Sequence, residues 1–192
     1  MWHHRYIMVF LYIIWIFPEQ LTLSPHSLEQ LAYEVASSLI KHGFKKILFE
    51  NGHGGNTPAL EAAAQRIKAD TNAFVAVDTV GLIPDFIEKF IETSYDAHAG
   101  EFETSTTLAN RETFVVKERI KKPKIKLPKS KYTKIGLKET GPKVSWGFRT
   151  KEISETGVIG DPTKASKEKG EAAWKLAVER LADLLVELDR MQ

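Results

Sequence analysis

The sequence predicts an α/β fold with a mostly parallel sheet, formed by a single domain. The chain has 192 residues, which is enough for one hydrophobic core but short for two. Helical and strand-like apolar patterns alternate between residues 24 and 78. The strand candidates are continuous apolar runs, which is typical of strands buried on both faces of a parallel sheet.

The elements follow in order along the chain. Ser24 and Pro25 mark the start of a helix, because serine caps helices and proline favours the first helical position. A strand is predicted over residues 45 to 50, a helix from Thr57, and a second strand over residues 73 to 78. Strand, helix and strand in this order form a βαβ unit.

Three further helices are predicted beyond this unit. One covers residues 84 to 93, and one begins between residues 103 and 109. The last is long, is capped by Ser166, and follows a turn-rich passage at residues 157 to 162. Its apolar stripe consists of Ala173, Leu176, Ala177, Leu181, Leu184, Leu185 and Leu188.

Composition limits the chemistry that the chain can perform. The sequence contains no cysteine, so disulfides, thiolate metal sites and cysteine nucleophiles are excluded. Any bound metal must be held by histidine and carboxylate, which suits zinc, manganese or iron. The net charge of +2 is too small to indicate nucleic acid as the main partner.

Two segments depart from the average composition. Residues 6 to 17 form an apolar run that is shorter than the roughly 20 residues needed to span a bilayer. No small-residue cleavage site follows it, so we expect a buried strand or helix start in a cytoplasmic protein, with export or a membrane anchor as the alternative. Residues 117 to 143 carry ten lysines and one arginine against two glutamates. This tract is predicted to be a solvated, partly extended excursion, with anion or nucleic-acid binding as the alternative.

The first candidate site is Asn-Gly-His-Gly-Gly-Asn at residues 51 to 56, directly after a predicted strand. Ligands bind at the carboxyl ends of strands in open parallel sheets, and glycines let backbone and substrate approach His53 closely. The alternative is a phosphate-binding or plain tight turn in which His53 merely packs. Both asparagines can tie the loop by hydrogen bonds to the backbone. The supporting or substrate-contacting candidates are Asn51, Gly54, Gly55 and Asn56.

The second candidate site is Asp-Ala-His-Ala-Gly-Glu-Phe-Glu-Thr-Ser at residues 96 to 105. Glu101 or Glu103 alone could be an ordinary carboxylate that stabilises a helix N-terminus. Together with Asp96 and His98, they indicate metal-assisted hydrolysis. In that interpretation Asp96 orients His98, which carries the proton to the leaving nitrogen.

These two motifs and residues 157 to 162, in this order, resemble the creatininase (creatinine amidohydrolase) family. The resemblance runs from about residue 17 to the C-terminus. It implies a three-layer α/β/α sandwich, a homohexamer, and two divalent metal ions per subunit. The ions are zinc, manganese or iron, and the family hydrolyses C–N bonds of cyclic amides, formamides or peptides.

The resemblance assigns roles by position. His53 is expected to be a metal ligand, Glu101 a metal-binding carboxylate that converges on it, and His98 the acid/base histidine. Glu103 is either a second carboxylate or a supporting group. Members that act on creatinine place a glutamate where Gly55 stands, so this chain is more similar to relatives that deformylate a pyrimidine precursor or trim a cofactor-precursor peptide.

The family's remaining ligands come from an N-terminal Glu-x-His motif and a following aspartate, which this sequence does not contain. Residues 1 to 16 are atypical, and we expect a creatininase-like domain that lacks this ligand segment. The predicted function is a metal-dependent amidohydrolase impaired by the missing ligands. The alternative is a catalytically silent α/β domain that acts in oligomerisation or in anion binding.

Overall fold

The structure is a computed structural model, and it divides into two compact units. One unit comprises residues 1–80 with 191–192, and the other comprises residues 81–190. The predictions for residues 1 to 16 and 6 to 17 lie outside the described residues, and the single domain stays a prediction. The structure describes residues 22–79, 83–128, 130, 132, 136–138, 144 and 147–191.

The first unit contains the predicted βαβ arrangement. Ser24 caps the first helix by accepting a hydrogen bond from the amide of Ser27. The two strands pair in parallel, with Lys46 opposite Phe74 at one end and Asn51 opposite Thr79 at the other. The elements are α1 (Pro25–Lys41), β1 (Lys46–Asn51), α2 (Thr57–Asp70) and β2 (Phe74–Thr79).

The core of this unit fixes the position of β1. Both helices contribute alanines, whose small side chains let the helices pack closely, and β1 contributes large apolar side chains. Because every residue of β1 after Lys46 is buried, its carboxyl end is held firmly. The buried members are Ala32, Ala36, Ile47, Phe49, Leu60, Ala63 and Ile67.

The second unit is built around two long helices that pack against each other, Glu101–Arg111 and Lys167–Arg190. The elements of this unit are α3 (Pro84–Phe90), α4 (Glu101–Arg111), α5 (Thr150–Ile153) and α6 (Lys167–Arg190). The predicted cap of α6 is confirmed, because Ser166 Oγ accepts a hydrogen bond from the amide of Lys169. The predicted stripe is confirmed as well, since Ala173 and Leu188 are buried and its other members are half-buried.

The third helix is shorter than predicted. It ends at Phe90 instead of residue 93. The amides of Glu92 and Thr93, which would extend it, donate instead to the carboxylate of Glu101. A side chain nine residues further on therefore ends α3 by taking its next backbone donors.

The described part of the basic tract is largely exposed, as predicted. Residues 117 to 128 contain one short 3₁₀ turn and no longer helix. Ile125 forms an isolated antiparallel bridge with Ser154, and Lys122 Nζ lies 3.3 Å from Asp161 Oδ2. Among the residues that the structure describes, no helix combines the length and the apolar character needed to cross a membrane.

Candidate functional site

Asn51 organises the loop that follows β1. This side chain is completely buried, and its Oδ1 accepts from the amide of His53 at 3.1 Å and from Asn56 Nδ2 at 3.2 Å. Its Nδ2 donates to Thr57 Oγ1 and to Thr79 Oγ1, both at 3.1 Å. The predicted tie to the backbone is thus present for Asn51, and the side chain of Asn56 is joined to that of Asn51. These bonds fix the start of the loop relative to β2 and α2.

His53 is half-buried and stands at the start of a single 3₁₀ turn, Gly54–Asn56. Its Nδ1 accepts a hydrogen bond from the amide of Gly55 at 3.1 Å. A neutral ring in this arrangement carries its proton on Nε2. A metal ion would therefore have to replace the Gly55 amide at Nδ1, or bind at Nε2 with the ring proton moved to Nδ1, which also breaks the bond from Gly55. The metal-ligand role of His53 stays a prediction.

Asp96 caps α4 at the second motif. Its Oδ1 accepts from the amide of Glu101 at 2.7 Å, and its Oδ2 accepts from the amide of Phe102 at 2.8 Å. The carboxylate is buried against Gly100 and Gly160, where an added Cβ would lie 1.8 Å and 2.2 Å from Oδ1, respectively. Asp96 therefore stabilises the helix start, and its predicted role in orienting His98 stays a prediction.

Burial raises the pKa of Asp96 to about 6. This effect outweighs the two backbone hydrogen bonds, which favour the charged form and lower the pKa. Between about pH 6 and pH 4 the folded state binds a proton that the unfolded state, with the ordinary pKa of 3.8, does not yet bind. This group should therefore increase stability as the pH falls through that window. A carboxyl ¹³C NMR titration should give a midpoint near 6 for Asp96, and a midpoint below the ordinary value would contradict this prediction.

Glu101 is fully buried at the first position of α4. Its Oε2 accepts from the amides of Glu92 and Thr93 and from Thr93 Oγ1, at 2.8 to 2.9 Å. Its Oε1 lies 2.5 Å from Lys169 Nζ. Burial alone would raise the pKa of Glu101, but the hydrogen bonds from Lys169 and Thr93 outweigh burial and hold this pKa below its ordinary value.

His98 stands between Asp96 and Glu101 in the sequence, and hydrogen bonds of its backbone hold it in place. Its amide donates to the carbonyl of Ile159 at 3.0 Å, and its carbonyl accepts from the amide of Ile159 at 2.7 Å. The next residue, Ala99, has a φ of 49°, a left-handed conformation that is uncommon outside glycine and is often found at functional sites. The backbone at His98 is thus held by a pair of hydrogen bonds to Ile159.

Glu103 is the carboxylate that lies beside His98. Its Oε2 is 3.9 Å from His98 Nδ1, and it accepts a hydrogen bond from the amide of Ala99. The Glu103 side chain is 43% exposed, whereas that of Glu101 is 0% exposed. Of the two predicted carboxylates, Glu103 is therefore the one that solvent and a substrate reach.

The structure brings the second motif together within one loop and one helix start. The first motif belongs to the other unit, and its predicted convergence with Glu101 stays a prediction. Within the described ranges, no group of three or more histidine, aspartate and glutamate side chains could hold a metal ion. Sequence patterns did not single out Lys169 or Thr93, because neither stands in a glycine-rich motif.

Comparison with known proteins gives the family. The family model of creatininase (creatinine amidohydrolase) matches residues 2–185. A mycofactocin precursor peptide peptidase from Mycolicibacterium smegmatis is 29% identical over 167 residues, which cover 87% of this chain and 59% of that protein. The chain thus spans about three fifths of the length of this curated relative.

Two solved structures show the same fold. A protein described as a creatinine amidohydrolase from Bacteroides fragilis has a TM-score of 0.75 at 27% identity, with 91% of this chain and 66% of that chain covered. A creatininase variant of Zn-Zn type has a TM-score of 0.69 at 22% identity, with 89% and 67% covered. The predicted creatininase-like α/β fold is confirmed, and the family match over nearly all residues shows that this chain belongs to the creatininase family.

Proposed function

We propose that this chain hydrolyses the C–N bond of an amide-type substrate, which is a small molecule or a peptide. The observation that carries the proposal is the family match over residues 2–185. The similar protein from Mycolicibacterium smegmatis is named as a peptidase of a precursor peptide, which supports a peptide-like substrate. A homohexamer and a cytoplasmic location are part of the same proposal.

His98 is proposed to carry the proton to the leaving nitrogen. Histidine is the side chain that changes its charge most readily near neutral pH, and the Glu103 carboxylate lies 3.9 Å from His98 Nδ1. Hydrolysis needs both states, because a base must take a proton from water and an acid must give one to the nitrogen. The fixed backbone at His98 lowers the cost of orienting the ring for these transfers.

A divalent metal ion is also part of the proposal, supported by the Zn-Zn type of the similar creatininase variant. Such an ion lowers the pKa of a bound water and polarises a carbonyl. Histidine and carboxylate at residues 53, 98, 101 and 103 are the donor types that zinc, manganese and iron accept. Within the described part of the chain they fit in chemical type but not in number, since no three of them form a group.

The two glutamates differ in what a metal ion would require of them. Glu101 would have to exchange its bond to Lys169 for a bond to the metal, because Oε1 is 2.5 Å from Nζ. Glu103 would only have to turn from the Ala99 amide. We therefore propose Glu103 as the carboxylate that faces the substrate, and the metal role of Glu101 stays a prediction.

The metal proposal is tested on His53. The purified chain, incubated with zinc, manganese or iron, is expected to retain a divalent ion through equilibrium dialysis. The His53→Ala variant should bind that ion more than about tenfold more weakly, since even the loss of a group that supports a ligand costs about 10–100-fold in affinity. The measurement is metal content by mass spectrometry at a series of free metal concentrations.

The matched control is His26→Ala, because His26 is exposed in the first turn of α1 in the same unit. This control should bind metal as the wild type does. Hydrolysis is assayed as release of free amine from a panel of amides, formamides and short peptides. A wild-type chain that binds no metal and cleaves none of these would overturn the proposal. That result would favour the silent domain, whose anion binding would rest on the exposed lysines between residues 117 and 128.

A further inference from the structure

Lys169 is the cation that contacts the buried carboxylate of Glu101. Its Nζ lies 2.5 Å from Glu101 Oε1, 2.8 Å from Glu92 Oε1 and 3.1 Å from the carbonyl oxygen of Lys164. An ammonium group has three donors, and these three oxygens match them in number. The Lys169 side chain is 19% exposed and the Glu101 side chain is 0% exposed, so water screens this ion pair only weakly.

The charge on Lys169 supports three further hydrogen bonds. The other oxygen of Glu101 accepts from two amides and one hydroxyl at residues 92 and 93. A buried carboxylate that loses its cation becomes protonated or leaves its site, because an unpaired buried charge is costly. In either case Glu101 would hold the amides of Glu92 and Thr93 less firmly.

Glu101 and Asp96 close the loop that carries His98 from opposite directions. Glu101 reaches back to residues 92 and 93, and Asp96 reaches forward to the amides of Glu101 and Phe102. His98 lies between these two connections. Glu101 takes part in both connections, through its side chain to the amides of residues 92 and 93 and through its own amide to Asp96.

We propose that Lys169 is a positioning residue for His98, acting through Glu101 by holding the loop of residues 92–102 closed. Lys169 is 71 positions beyond His98 in the sequence. Its task is to supply the positive charge that keeps the Glu101 carboxylate in place. The inference rests on the proposed function only in treating His98 as the proton carrier.

The test compares Lys169→Met with the wild-type protein by amide hydrogen exchange and by ¹⁵N NMR of the histidine rings, without substrate or added metal. Exchange at the amides of Thr93, Ala97 and His98 should become about tenfold faster or more, because the loss of a charged hydrogen bond favours local opening. The ring ¹⁵N shifts of His98 should move as well. Exchange in α1 and α2, which belong to the other unit, should not change.

Two variants on the same helix sharpen the test. Lys175→Met removes an exposed lysine that lies 4.0 Å from Glu179, and it should leave the exchange of the loop unchanged. Lys169→Arg keeps the charge and should change the same amides less than Lys169→Met does. If Lys169→Met does not fold, Lys169→Gln takes its place with the same expectations, because glutamine keeps a donor without the charge.

The inference would be overturned if Lys169→Met showed wild-type amide exchange and unchanged His98 ring shifts. It would also be overturned if Lys169→Met accelerated exchange equally at all amides, or if Lys169→Arg changed the loop amides as much as Lys169→Met does. The outcome is independent of the metal test on His53. If the loop responds as expected but the wild-type chain neither binds metal nor hydrolyses amides, the proposed function fails and the link between Lys169 and His98 stands.

Discussion

Gly170→Ala should lower the free energy of unfolding by more than about 3 kcal/mol, although alanine is normally the better helix former by about 1 kcal/mol. A Cβ at this position would lie 1.9 Å from the carbonyl oxygen of Ser105 and 2.8 Å from the Cβ of Ala109. Both atoms belong to α4, and one of them is backbone, so the variant must push α4 and α6 apart. The measurement is urea unfolding followed by circular dichroism.

Gly147→Ala is the control for this variant, because nothing lies within 4 Å of the Cβ that would be added there. It should change stability by less than about 0.5 kcal/mol, as for an ordinary surface substitution. The two helices also share polar contacts that a shift would break, including the bond from Trp174 Nε1 to the carbonyl of Thr106 at 3.1 Å. A Gly170→Ala variant as stable as the wild type would show that α4 and α6 are further apart than described.

Gly160→Ala should lower the free energy of unfolding by about 3 kcal/mol or more, because it combines a steric clash with an unfavourable backbone conformation. Its Cβ would lie 2.2 Å from Asp96 Oδ1 and 2.8 Å from the Cα of Gly100, and Gly160 has a φ of 152°. Asp96 cannot turn away without releasing the two amides that it caps. Thermal unfolding gives the loss of stability. Because residue 159 forms the bridge to His98, the hydrolytic activity proposed for this chain should fall as well.

Gly43→Ala separates the two causes. Gly43 has a φ of 94°, but nothing lies within 4 Å of the added Cβ. The Gly43→Ala variant should therefore lose about 1–2 kcal/mol of unfolding free energy from the backbone conformation alone. If Gly160→Ala lowers the free energy of unfolding no more than Gly43→Ala does, the clash with Asp96 contributes nothing to the loss of stability. A larger loss of stability at Gly160 assigns the difference to the close approach of Asp96 Oδ1 and of the Gly100 Cα.

The first unit was predictable because its signals are local. The serine cap and proline of α1, the continuous apolar strands and the glycine-rich loop after β1 all stand within a few residues of the structure that they specify. The strands differ from the prediction by one residue, since β1 extends to Asn51 to pair with Thr79. Even the tie from Asn51 to the backbone of the loop is a contact two residues apart.

The second unit was predictable only in part. The sequence identified the motif at residues 96 to 105 and the start of α6, but it extended α3 to residue 93 and did not distinguish Glu101 from Glu103 in exposure. Glu101 ends α3 by a contact over eight or nine residues, and it is neutralised by Lys169 across 68 residues. Contacts at such separations leave no periodic pattern, because they depend on which helix faces which.

By itself the sequence determined the family, the α/β class, the caps and the two motifs, since residue type and short spacing specify local backbone conformation. Only the tertiary structure decided how the side chains of the second motif are used. It placed Asp96 at the helix cap, Glu101 in a buried ion pair, and Glu103 at the surface beside His98. The physical reason is burial: three carboxylates that look equivalent in sequence differ in solvation and in charge partners once the chain folds.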